Sequence, residues 1–199
     1  MIDQIDELWT HFDRSWPGRE HRDLHWPGKP IEDAIPWFHV REVRETSTSP
    51  WTYVSVGTSL ARPDARHEFF LQASEPSLEH VETLAWVAHW HVVRPMPLSH
   101  GSVLKIGRPW VTASRNDHLA VVRPYAFPPE IGNFHVGDDH VSLLWLLPIS
   151  FAEARLIRRH GIGVFEDLLE ASELNVVDRN RPPVGPPQAG TDSLSTLRR

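Results

Sequence analysis

Histidine is the residue type here best suited to chemistry: there are thirteen, against no cysteine. Imidazole ligates transition metals and exchanges protons near neutral pH. The densest cluster is His135-Val-Gly-Asp138-Asp139-His140, which mixes imidazole and carboxylate ahead of an apolar run. Such a loop could form part of a zinc or manganese site. A metal-dependent hydrolase built on it would need a further ligand, such as His100 or His118, and an open coordination position. Gly-Asp-Asp is also good turn chemistry, because Asp hydrogen-bonds its own backbone. The turn reading is preferred, and no metal or other cofactor is assigned.

The remaining histidines suggest less. His89 and His91 lie two apart near the end of a predicted helix and cannot face one ion. At that end they interact favourably with the helix dipole. His21 and His25 have the spacing of a helical metal pair, but they fall in a Pro/Gly-rich stretch where no helix is expected. Ser102 beside His100 says little about a triad, which is a spatial arrangement. There is no phosphate loop, dinucleotide fingerprint or Gly-x-Ser-x-Gly elbow. Without cysteine there are no disulfides, thiolate metal sites or cysteine nucleophile. No catalytic residue is named, and the chain is not expected to be an enzyme.

Nine tryptophans are the other excess. Trp51 and Trp145 sit in strand patterns and are expected in the core, whereas Trp110 follows a proline and is expected in a loop. Trp86 and Trp90 are one helical turn apart beside an apolar stripe.

The elements that would position these residues follow from periodicity. Ile2, Ile5, Leu8, Trp9 and Phe12 have helical spacing. Ser15 to Pro36 reads as an irregular connection pinned by Trp16 and Trp26. Strands are expected at 37–40, 51–58, 68–72, 103–106, 119–123 and 141–147. The last carries Val141, Leu143, Trp145 and Leu147 on one face and Leu144 and Leu146 on the other, so it reads as a central strand covered on both sides. A helix starts near Ser74-Glu75-Pro76, carries Val81, Leu84, Ala85, Ala88 and Val92, and stops at Arg94-Pro95. Ser150 and Glu153 form a capping box for a helix that Gly161 and Gly163 break, and a second helix follows over 164–169. The order of elements implies an α+β fold with a mixed or antiparallel central sheet packed with helices. The expected organisation is an N-terminal helix and irregular extension over 1–36, one domain over 37–181, and a disordered Pro/Gly-rich tail over 182–199.

At 199 residues the chain is one ordinary domain with 40% hydrophobic and 23% charged residues. Net charge is −6 and only Lys29 and Lys105 are lysines. Direct nucleic-acid binding is therefore not expected, because neutralised phosphates supply most of that affinity. The N-terminus has no basic-then-apolar secretory pattern and no run approaches the ~20 residues of a membrane span. A soluble, cytoplasmic protein is expected.

In order, the motifs Trp51-Thr-Tyr-Val-Ser-Val-Gly57-Thr-Ser-Leu60, His67-Glu-Phe-Phe-Leu-Gln72, Leu84-Ala-Trp-Val-Ala-His89, Leu98-Ser-His-Gly101 to Gly107-Arg-Pro109, Val141 to Ser150 and Asp178-Arg-Asn-Arg181 resemble Suppressor-of-fused-like domains. The resemblance runs from Trp37 to Arg181. It implies an α+β domain that binds another protein and has no known catalytic residues. The family's animal namesake is a cytoplasmic regulator of hedgehog signalling with an additional C-terminal domain, for which a chain of this length has no room. Stand-alone domains resemble bacterial members taken to be immunity proteins that neutralise a toxin. A basic toxin would suit the acidic net charge, since complementary charge speeds association. The resemblance carries over no site residue and leaves the oligomeric state open.

Overall fold

The computed structural model describes residues 2–185. The chain opens with helix α1 (Ile2–Ser15), then β1 (His21–His25), α2 (Ile31–Ala34), β2 (His39–Val43) and β3 (Trp51–Val56). Next come α3 (Thr58–Ala61), β4 (His67–Ala73), α4 (Leu78–Val93), β5 (Val103–Lys105) and β6 (His118–Val122). It closes with α5 (Pro129–Gly132), β7 (Asn133–Val136), β8 (Asp139–Ile149), α6 (Phe151–His160) and α7 (Ile162–Ala171). The strands form one sheet in the order β1-β2-β3-β4-β8-β6-β5, with β7 also paired to β8. All pairings are antiparallel except β4 with β8. The fold is thus α+β with a mixed sheet.

As the sequence implies, β8 is central and apolar on both faces. Leu144 and Leu146 join a cluster under α2 and α4. Val141 and Leu143 pack with Leu8 and Phe12 of α1, and Leu147 and Ile149 pack under α6 and α7. Proline at 148 does not end the strand, which runs on to Ile149. Pro148 keeps its carbonyl in use, accepting from Arg181 Nη2 at 3.1 Å.

The stretch Ser15 to Pro36, expected to be irregular, contains β1 and α2. Polar β1 pairs residue for residue with β2, from His21 opposite Val43 to His25 opposite His39. An edge strand of this kind carries no alternating apolar pattern, so only its partner reveals it. Arg41 of β2, 4% exposed, fastens α1 and β1 together. It donates to Asp23 at 2.7 and 3.0 Å, pairs with Asp13, and lies 4.5 Å over the Trp9 ring. Gly57 ends β3 at φ 100°, where a Cβ would stand 2.6 Å from the Trp37 ring. The amides of Gly57 and Ser59 and the hydroxyls of Ser55 and Ser59 all donate to fully buried Glu68. Burial pushes this carboxyl up, and the four donors oppose that rise.

Helix α6 starts as predicted. Ser150 Oγ accepts from the Glu153 amide, and Glu153 Oε2 accepts from the Ser150 amide at 2.8 Å. The other carboxylate oxygen accepts from Arg181 Nη1 at 2.6 Å and from the Val184 amide at 3.0 Å. Both ionic side chains are buried, at 0% and 2% exposed. The expected tail over 182–199 therefore begins with packed chain, since Val184 is buried; residues 186–199 lie outside the described residues. Gly161, at φ 87°, breaks the two helices apart, whereas Gly163 sits inside α7.

Two histidines are internal cross-braces. His91 Nδ1 accepts from the Leu98 amide at 3.1 Å, so Nε2 carries the proton and donates to the Ala65 carbonyl at 2.9 Å. This corrects the helix-dipole reading of His91: burial lowers it from 6.5 to about 4, and it is neutral. Burial likewise lowers His80 to about 4.

Two predictions follow from these buried groups. Both His values are depressed below 6.5, so the unfolded chain takes up protons first as pH falls. Their contribution should be intact above pH 6.5 and drain away towards pH 4. Denaturant midpoints measured across that window should decline, and decline less in His91→Gln; a flat profile would contradict the buried neutral assignment. Arg181→Met strands a buried carboxylate and should cost about 3–5 kcal/mol by urea unfolding. A loss under 1 kcal/mol would show that the pair is not structural.

Candidate functional site

The residues singled out for chemistry are dispersed by this architecture. His135 and His140 face each other across the β7–β8 hairpin, with ring centroids 5.6 Å apart. Gly137 takes a left-handed φ of 59° at the turn, and Asp139 pairs with Arg66 at 2.8 Å. Asp138 is exposed at the hairpin tip. The extra ligands that a metal site required lie elsewhere. His118 pairs with Ile149 at the other end of β8, roughly 30 Å away at about 3.3 Å per strand residue. Its Nδ1 is 2.7 Å from Asp117. Among the described residues no group of three or more His, Asp or Glu side chains is placed to hold a metal ion. His21 and His25 lie on β1, where His25 Nδ1 is 3.2 Å from the Phe38 carbonyl. Ser102 Oγ accepts from the Ser99 amide, closing a local turn.

His100 meets Glu166 of α7, with 3.7 Å between Nε2 and a carboxylate oxygen. Burial lowers His100, Arg123 adds to the effect, and burial raises Glu166. Both shifts disfavour the charged forms, so the contact is a weak ion pair at most. It opens onto the largest concavity described, a groove of about 600 Å³ between α7 and the β6–β8 face.

The groove floor is apolar, formed by Trp145 and Leu147 of β8 with Leu169 of α7 and Leu174 beyond it. Trp145 departs from its expected place in the core. It is only partly buried, stacks on Phe70 with centroids 5.6 Å apart, and meets Phe127 edge-on. Trp51 is also partly buried. Trp110, expected in a loop, is instead the largest fully buried side chain at 1% exposed. Loop membership says nothing about burial when the loop folds back over α4. Trp86 and Trp90 stack at 5.2 Å, and Arg94 covers Trp90 at 4.3 Å.

Along one wall of the groove run Glu166, Asp167, Glu170 and Glu173. Glu166 and Glu170, four apart on α7, share one face of the helix, and Glu173 follows just past its end. The opposite wall carries Arg123 and Tyr125, the latter 65% exposed. An apolar floor beside a line of carboxylates favours a ligand that is both apolar and cationic. Sequence reading missed the groove because its two sides come from segments some twenty residues or more apart.

Comparison with known proteins gives the lineage. The family model described as Suppressor of fused protein matches residues 35–182. The chain belongs to the suppressor-of-fused family. A suppressor-of-fused homologue from Neisseria gonorrhoeae superposes with a TM-score of 0.83 at 27% identity, covering 92% of this chain and 97% of that one. The structure of the Sufu-Fu complex matches at TM-score 0.64 and 13% identity, covering 83% of each chain. Drosophila Suppressor of Fused matches at 0.58 and 16%, covering 82% of this chain and 45% of that protein. The last two likenesses speak for the fold. The immunity protein YqcF of Bacillus subtilis is 28% identical over 64 residues, which span 32% of this chain and a third of that protein. Among the described residues no helix is long and apolar enough to cross a membrane.

The placement of the two tryptophans reverses their expected stability roles. Trp110→Ala should cost about 3–5 kcal/mol, as full burial dictates. Trp145→Ala should cost less, about 1–3 kcal/mol, because part of its surface already meets water. Thermal and urea unfolding of both variants would check the order, and equal losses would place Trp145 back in the core.

Proposed function

We propose that this chain is a non-enzymatic protein-binding domain that sequesters a partner protein in the cytoplasm, as an immunity protein or an intracellular regulator. The observation that carries this reading is the groove: apolar underneath and lined with carboxylates. Small-molecule sites enclose most of their ligand, whereas this surface suits a protein segment with apolar and basic side chains. Family membership supports the reading, and so does the weak likeness to a protein named for immunity. A basic toxin made by the same cell is the partner that best fits a chain of charge −6.

Affinity capture of the tagged protein from its own cells, followed by reconstitution of the pair from purified components, tests this. The expected result is one stoichiometric partner with basic charge, bound more weakly as salt rises, and toxic when expressed without this chain. Turnover of a substrate by the purified domain, with no stable partner, would refute the reading.

A further inference from the structure

The end of α7 is acidic, where the long helices α1 and α6 end in basic side chains. A helix C-terminus carries partial negative charge and favours cations. Helix α6 conforms, with Arg158, Arg159 and His160 in its last turn. Helix α7 has no basic residue in its last turn; it carries Glu170 there, and Glu173 follows. Glu173 also adopts a left-handed φ of 51°, the conformation in which helices usually place glycine. Both carboxylates lie on the groove wall, beside Glu166, whose Oε1 is buried without a hydrogen-bond partner. Where a sequence breaks a local rule at no evident structural gain, the gain is sought in function.

We infer that the groove is the docking site for a cationic amphipathic segment of the partner protein, its apolar side chains on Trp145, Leu169 and Leu174 and its Lys or Arg side chains against Glu166, Glu170 and Glu173. The inference rests on the protein-binding reading above and names the surface and the chemistry of the occupant. Charge complementarity selects this occupant. A second copy of a chain with net charge −6 brings no general excess of cations. Anionic membrane surfaces and nucleic acids are repelled by the same carboxylates. Arg123 lies within electrostatic reach of Glu166, so it sets the polarity of the segment by leaving its cations the end of the groove that carries Glu170 and Glu173.

The test is the double variant Glu170→Lys with Glu173→Gly, set against Glu45→Lys, a reversal at an exposed site away from the groove. The double variant corrects both local faults, so its thermal midpoint should rise by about 2–4 °C. It should also bind a labelled 14-residue Leu/Lys amphipathic peptide at least tenfold more weakly than the parent, while Glu45→Lys binds unchanged. The same peptide with Glu for Lys should not bind. A gain in stability together with a loss of binding to the peptide and to the captured partner supports the inference. Equal binding of the peptide by all three proteins overturns it, as does photo-cross-linking from position 174 to residues 186–199 of this chain or to a second copy. Capture of the same partner by the parent and the double variant with equal affinity overturns the groove and leaves the protein-binding reading standing. Absence of any partner for the parent removes the reading beneath it.

Discussion

The buried contact between Glu153 and Arg181 holds the C-terminal third of the domain together. One carboxylate oxygen closes the capping box that starts α6, and the other receives the guanidinium and the Val184 amide. Arg181 reaches on to the Pro148 carbonyl at the end of β8. A single ionic group thereby joins a central strand, a helix start and the chain that follows α7. Burying two charges is costly unless nearly every lone pair and proton finds a partner. Glu153 meets that condition, whereas Arg181 leaves Nε unmatched. The segment between α7 and Arg181 supplies Leu174 and Val176 to the groove, so part of the groove's apolar lining depends on this contact.

Three further polar links show the same economy. Arg41 binds the N-terminal helix to the edge strand, Glu68 fixes the turn after β3, and His91 braces α4 to the chain on either side. Each sits where backbone or a neighbouring side chain would otherwise lose a partner to burial, the situation in which an internal hydrogen bond matters most. These are the residue types that suggest catalysis when read along the chain. In the fold, most of their donors and acceptors are committed to structure. The groove differs, because Glu170 and Glu173 are exposed at a helix end where electrostatics favours cations.

The legible parts of the fold were those with local causes. The two-sided apolar pattern of residues 141–147 placed β8 at the centre of the sheet, and Ser150 with Glu153 marked the start of α6. Arg94-Pro95 marked the end of α4. Illegible parts had causes at a distance. β1 is a strand because β2 lies beside it, and its own residues carry no period. Trp110 is core because its loop returns over α4, and Trp145 is half-open because it lines the groove beside α7.

What the sequence by itself determined was the class of fold, the central strand and the places of the longer elements, together with the family resemblance and the acidic balance that points away from nucleic acid. Those properties follow from periodicity, capping chemistry and composition, which are local or additive along the chain. Tertiary structure alone decided which histidines are neutral braces and that His118 lies far from the His135–His140 hairpin. It also decided that four carboxylates and an indole share one groove. Burial, pKa and convergence depend on which distant segments pack together, and no spacing along a chain encodes that.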